Sequence, residues 1–129
     1  MDRPIVVVDA DKAQCQKLCT LLERSNYRTV PSHSLTNLER PVEEGPLQVV
    51  ILDLDTLPVD NRFIVDLRRE NPGVRIMGLS NRRFHPELQE AISKHFYACL
   101  YKPVDTDELF FWLRSIWENG PNYGRDSGD

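Results

Sequence analysis

Four polar residues in this sequence each close a short apolar run. The runs read Val6-Val7-Val8-Asp9, Ile51-Leu52-Asp53, Gly78-Leu79-Ser80 and Tyr101-Lys102-Pro103. Together they offer two carboxylates, one hydroxyl and one ammonium. A hard cation such as Mg²⁺ takes carboxylate and carbonyl oxygens plus waters. A carboxylate at the end of a buried strand is also a candidate nucleophile. An acyl-phosphate on Asp53 would need its oxygens neutralised, and Mg²⁺ and Lys102 can do that, with Ser80 as a hydrogen-bond donor. Taken singly, each residue reads equally well as a solvated loop acid or a helix cap. The ordered set of four is what points to chemistry.

The elements that must position these residues follow from hydrophobic periodicity. The run from Leu47 to Asp53 is rich in β-branched residues and too short for an independent helix. It predicts a strand buried on both faces, as in a parallel sheet covered by helices. Ile5 to Val8 predicts a first strand. Tyr27 to Val30 predicts an edge-like second strand stopped by Pro31, Val74 to Leu79 a fourth, and Ala98 to Tyr101 a fifth. Between the first two strands, Asp11 can cap a helix in which Cys15, Leu18, Cys19 and Leu22 share a face. That spacing makes Cys15 and Cys19 core residues, since free cysteine packs as a small hydrophobe.

Leu35, Leu38 and Val42 suggest a second helix, shortened or broken by Pro41, with a turn at Gly45-Pro46. A third helix is predicted from Asn61 to Glu70, with Phe63, Ile64 and Leu67 facing inward, and Asn71-Pro72-Gly73 ends it. Pro86 is placed to start a fourth, with Leu88, Ala91 and Ile92 as its apolar stripe. Asp105 or Thr106 can cap a fifth, whose broad apolar face is Leu109, Phe110, Leu113, Ile116 and Trp117, with Trp112 to one side. Residues 1–117 form the expected domain, and residues 118–129 read as a flexible tail or linker. Five β-α alternations predict a parallel sheet with helices on both faces. Chemistry in such sheets sits beyond the carboxyl ends of the strands, which brings the four polar residues to one edge.

Composition narrows the classes of function. The 129 residues suffice for one domain with a real core. A net charge of −4 without a long basic block argues against direct nucleic-acid binding. No apolar run approaches the roughly 20 residues that span a bilayer, and the N-terminus has no signal-peptide pattern, so the cytoplasm is the expected location. Three cysteines without a CxxC spacing give neither a disulfide framework nor a zinc signature. His33, His85 and His95 are scattered and read as surface or packing residues. Arg82-Arg83 reads as a solvated loop rather than an anion site.

The motifs ending on Asp9, Asp53, Ser80 and Lys102-Pro103, in this order, resemble the receiver domain of bacterial two-component response regulators, from Ile5 to about Trp117. The resemblance implies a flavodoxin-like (βα)₅ fold with sheet order 2-1-3-4-5, an order already known for a chemotaxis receiver. It implies that Asp53 is the phosphoacceptor for a sensor histidine kinase in a phosphorelay, with Mg²⁺ required. Ser80 would follow the phosphoryl group, Lys102 would be its ion-pair partner, and the Lys102-Pro103 bond would be cis. The implied metal ligands are Asp9, Asp53 and the backbone carbonyl of Asp55, with Asp11 a further candidate. Such a domain is a switch rather than an enzyme in the usual sense. Its partners are the kinase, an effector domain or protein, and a second copy through the fourth helix, fifth strand and fifth helix.

Four positions depart from the family pattern. Ala10 stands where a second acid usually follows the first strand, and Asp11 comes one place late. Pro58 lies five residues after Asp53 rather than four. Asn81 follows the hydroxyl residue where a small residue is usual. Cys99 replaces the switch aromatic of the fifth strand. Tyr101 should share a strand face with Cys99, and Tyr97 does so if the strand begins early. Ala10 and Cys99 support an alternative, a degenerate pseudo-receiver that binds proteins without phosphorylation. A flavodoxin-like cofactor binder is disfavoured, because the Asp9-Ala10-Asp11 turn lacks glycine and its acids repel phosphate.

Overall fold

The computed structural model describes residues 4–36, 38 and 47–119. The order is β1 (Ile5–Val8), α1 (Lys12–Arg24), β2 (Thr29–Ser32), β3 (Val49–Asp53), α2 (Asn61–Glu70), β4 (Arg75–Ser80), a 3₁₀ turn (Pro86–Leu88), α3 (Gln89–His95), β5 (Phe96–Tyr101) and α4 (Thr106–Asn119). All five strands pair in parallel in the order β2-β1-β3-β4-β5. This is the predicted flavodoxin-like sheet.

Strand alternation explains the two cores. Ile5, Val7, Val49 and Ile51 face one side, where Cys15, Cys19 and Leu22 of α1 meet Leu109, Leu113 and Ile116 of α4. Val6, Val8, Val50 and Leu52 face the other, against Ile64 and Leu67 of α2 and Ala91 of α3. Every residue of β1 and β3 is therefore buried. Each large aliphatic side chain so placed contributes about 1.5–3 kcal/mol through burial. That is why these two strands carry no polar alternation and why their ends are held in place. The Cys15 thiol lies 3.6 Å from the Val7 carbonyl, and burial pushes it up to about 12. It serves as core.

Three local features differ from the expectations. Pro31 does not stop β2: it lies within the strand and pairs with Val7. An edge strand tolerates proline because its outer side has no ladder partner. Strand β5 begins early, at Phe96, yet Tyr97 does not join the face of Cys99. The β4–β5 register passes from Ile76–Phe96 to Met77–Ala98, which leaves Tyr97 as an extra residue. That bulge turns Tyr97 toward Trp112 of α4, with ring centroids 5.6 Å apart. Helix α4 runs to Asn119, so the expected domain end at 117 falls inside it.

Leu35 and Leu38 pack against the α2-side core. The remainder of the expected second helix, with Pro41, Val42 and Gly45-Pro46, lies outside the described residues, as does the tail from 120. The helix predicted fourth is accordingly α3, and the fifth is α4. The Lys102-Pro103 bond is cis. Among the described residues, no helix is long and apolar enough to cross a membrane.

Gly78 lies in the middle of β4, paired with Leu52 and Cys99. A Cβ there would fall 2.7 Å from the Phe96 ring. Close packing of that ring over β4 favours glycine here, two residues before Ser80 at the strand's end.

Candidate functional site

The parallel register brings the ends of β1, β3, β4 and β5 to one edge. Asp9 follows β1, Asp53 and Ser80 are the last residues of β3 and β4, and Lys102 follows β5. Asp9, Asp53 and Ser80 are buried, Asp53 almost fully at 1% exposure. Lys102 reaches across the edge. Its ammonium pairs with Asp53 Oδ1, lies 2.9 Å from Asp55 Oδ2 and donates to Gln14 Oε1 at 3.2 Å. Its three donors thus meet three oxygens.

Asp53 Oδ2 accepts from the Thr56 amide at 3.0 Å. Asp9 is held on both oxygens. Oδ1 accepts from the Asp11 amide at 2.9 Å and the Thr56 hydroxyl at 3.1 Å, and Oδ2 from Gln14 Nε2 at 2.6 Å. Thr56 therefore ties the two acids together. Asp55 has a side-chain role. Its carboxylate accepts from the Asn81 amide, at 2.9 Å to Oδ2 and 3.2 Å to Oδ1, and Ser80 Oγ stands 3.5 Å away. Burial alone pushes the Asp55 carboxyl up. The hydrogen bonds from Lys102, Asn81 and Ser80 and the lysine's charge outweigh it and hold the carboxyl below its usual range. For Lys102, burial works against the charge, but Asp53 and Asp55 outweigh it and raise the ammonium above an ordinary lysine.

The Ser80 hydroxyl is engaged elsewhere as well. It lies 2.6 Å from Nε2 of His85 and accepts from the Arg82 amide at 2.9 Å. His85 is buried, with Nδ1 3.8 Å from the Glu87 carboxylate. Of the other histidines, His33 is exposed and its Nδ1 lies 2.9 Å from the Asp9 carbonyl. The two arginines serve the loop: Arg82 pairs with Glu87 at 3.0 Å, and Arg83 lies 4.2 Å over the Tyr101 ring.

Asp9, Asp53, Asp55, Ser80 and Lys102 thus come together. Asp11 takes the cap role that its position left open. It is exposed, and its Oδ1 accepts from the Gln14 amide at 3.0 Å, starting α1. No group of three metal-binding side chains forms among the described residues. Mg²⁺ does not need one, because it keeps several waters and binds through one or two carboxylates. Asp9 and Asp53, linked through Thr56, fit that requirement, and the Asp55 carbonyl is the third oxygen implied. Ala10 leaves the set one anion short, so Coulombic attraction is reduced. Titration of the ligand-free protein with Mg²⁺ is expected to give weaker binding than in Ala10→Asp, by about tenfold for roughly 1.4 kcal/mol of added attraction. Equal affinities would mean that backbone groups already replace the missing acid.

Sequence reading did not assign a role to Gln14, Thr56, His85 or the Asp55 side chain. Thr56 and Asp55 were within sight, three and two residues past Asp53. Gln14 lies in the first turn of the helix that follows Asp9. His85 carried no signal beyond being a histidine in the loop after Ser80.

On the outer face of β5, Cys99 and Tyr101 are both exposed and flank a cavity of about 440 Å³ with Phe84 and Ile92. Trp112 is half-buried against Tyr97. The exposed ring of α4 is its neighbour Phe111, 55% exposed.

With this geometry in place, the comparisons with known proteins agree. The sequence matches the response regulator receiver domain family over residues 5–114, and the chain belongs to that family. No curated protein matches it. Among solved structures it resembles the signal receiver domain of an HD domain-containing protein from Pseudomonas fluorescens Pf-5. The TM-score is 0.78 at 21% identity, covering 92% of this chain and 97% of that one. It also resembles the beryllofluoride-activated NtrC4 receiver domain dimer, with TM-score 0.75 at 21% identity, covering 90% and 97%. NtrX from Brucella abortus, solved with ADP, aligns with TM-score 0.78 at 18% identity, covering 98% of this chain and 29% of that one. Receiver domains generally bind Mg²⁺ at their acidic pocket and interact with histidine kinases and effector domains.

Proposed function

We propose that Asp53 accepts a phosphoryl group from a sensor histidine kinase, which makes this chain a phosphorylation-controlled switch in a two-component relay rather than an enzyme in the usual sense. The observation that carries this reading is the Lys102 ammonium against a nearly fully buried Asp53 at the end of the central strand, with Ser80 at the neighbouring strand end. In the transfer, an Asp53 oxygen forms the new bond to phosphorus while the bond from phosphorus to the donor nitrogen breaks, and the electron pair stays on that nitrogen. Lys102 neutralises the incoming oxygens, and Ser80 donates to one of them. Mg²⁺, held by Asp9, Asp53 and the Asp55 carbonyl, supplies further charge neutralisation when bound.

The test is incubation with a small phosphodonor, with and without Mg²⁺, read by intact mass. The expected result is a gain of one phosphoryl group that depends on Mg²⁺. No gain under either condition would favour the second reading, a pseudo-receiver that binds proteins without phosphate. Ala10 is the specific observation behind that reading.

The cytoplasm is the proposed compartment. The partner face is the α3–β5–α4 surface, and its proposed occupant is a second copy of this chain. Support comes from Phe111 and Tyr101, 55% and 45% exposed on adjacent elements, and from the dimeric state named for the NtrC4 domain. Phe111→Ala is expected to weaken self-association in sedimentation at least several-fold, because exposed aromatics dominate such contacts. Trp112→Ala mainly lowers stability, because Trp112 packs within its own domain. Association unchanged in Phe111→Ala would remove this face.

A further inference from the structure

Asp55 is bound in a way that a loop acid has no need of. Its carboxylate gathers three donors from two strand ends: the Lys102 ammonium after β5, and the Ser80 hydroxyl and Asn81 amide where β4 ends. The Lys102 ammonium touches both acids, which places the donor set around Asp55 next to Asp53. A cation, an amide and a hydroxyl pointed at one place form an anion site. We infer that the Asp55 carboxylate is a built-in occupant of the anion site beside Asp53, and that a phosphoryl group arriving on Asp53 must displace it. The inference rests on Asp53 as the phosphoacceptor for its regulatory meaning, but the occupancy itself does not.

The bland alternative is that Asp55 is merely a second counterion for Lys102. That does not account for the Asn81 amide, which donates to both Asp55 oxygens. Nor does it account for the Asp55 side chain being turned into the site at only 19% exposure, when two residues after a buried strand it had solvent available. An intramolecular carboxylate competes at an effective concentration in the millimolar range or above. It also places a negative charge where the phosphodonor brings another. The consequence is a domain held in a partly liganded arrangement before any phosphorylation. Ser80 is the loosest of the three donors to Asp55, at 3.5 Å against 2.6 Å from His85.

The experiment separates this inference from the phosphorylation reading by removing the acceptor. In an Asp53→Asn background, inorganic phosphate is titrated into the full chain with Asp55 intact and with Asp55→Ala, following the Asn81 amide by ¹H–¹⁵N correlation. Asp55→Ala is expected to bind phosphate about tenfold or more tightly, because an internal competitor has been removed. The gain should persist at high salt, where simple repulsion between exposed charges is screened. Asp55→Asn, which keeps the shape and one acceptor, should fall between the two, and it carries the test if Asp55→Ala fails to fold. Equal binding with and without the Asp55 carboxylate, no binding in either, or a gain that vanishes in salt would each overturn the inference. In a second arm with Asp53 restored, Asp55→Ala should be labelled by a small phosphodonor about tenfold faster than the unmodified chain, by the same competition. If neither is labelled while the phosphate arm succeeds, Asp55 occupies the site and the phosphorylation reading is what fails.

Discussion

Asp53→Asn is expected to abolish labelling by a small phosphodonor while leaving the protein folded. The replacement keeps the shape of the side chain and one acceptor oxygen, which can still take the Thr56 amide that now binds Oδ2. What disappears is the charge and the second oxygen, and with them the nucleophile. The new amide group meets the Lys102 ammonium donor to donor, which is unfavourable. Against that, Lys102 retains Asp55 and Gln14 as partners, and one of three clustered carboxylates is gone. These effects oppose each other, so the net change in stability is expected to stay within about 1 kcal/mol. Intact mass reads the labelling and urea unfolding reads the stability. Labelling that continues in the variant would assign the acceptor to another residue, with Asp9 and Asp55 the next to be tested.

Lys102→Met is expected to have the largest effect on stability of any single change at the site. Lysine is only 12% exposed, and it faces an Asp53 that is 1% exposed. Removing one member of such a pair leaves an uncompensated charge in a poorly solvated place, which costs about 3–5 kcal/mol where the pair is buried. Because part of the cluster touches water, about 3 kcal/mol at neutral pH is the expected loss.

The pH dependence has a definite sign. The Lys102 ammonium is raised in the folded state, so its contribution is complete below the ordinary lysine value and is lost as pH rises through the raised one. The Asp55 carboxyl is lowered, so its contribution is present above the ordinary carboxylate value and is lost as pH falls through the lowered one. The unmodified chain should therefore weaken on acidification. In Lys102→Met the carboxylates have lost their cation, so mild acidification should stabilise that variant instead. Asp53→Asn combined with Lys102→Met should recover much of the loss. A midpoint unchanged by Lys102→Met alone would mean that water, rather than the lysine, compensates these acids.

How much of this could be read beforehand depends on the kind of signal each feature leaves. β1 and α2 were legible to the residue, because a strand buried on both faces leaves an unbroken apolar run and an amphipathic helix imposes a period on the chain. The cysteines of α1 were legible for the same reason: their spacing put them on the inner face, and both are buried. Pro31 misled because the rule it invokes, a missing ladder donor, depends on whether the strand has a neighbour on that side. Only the sheet order decides that. Tyr97 misled because alternation assumes an unbroken register, and the bulge against Ile76 and Met77 shifts it by one residue.

The site divides along the same line. Chain order alone determined that Asp9, Asp53, Ser80 and Lys102 would share an edge, because each ends or follows a strand and parallel strands point the same way. Tertiary structure alone decided which other groups would join them. Gln14 enters from the first turn of a helix, Thr56 and Asp55 from the loop after β3, and His85 from the segment after Ser80. Their side chains are aimed by loop paths and helix rotation, which arise from packing between elements distant in sequence and leave no period to read. That is why Asp55, expected to offer only a backbone carbonyl, emerges as a carboxylate bound by Lys102 and the Asn81 amide, with Ser80 close by.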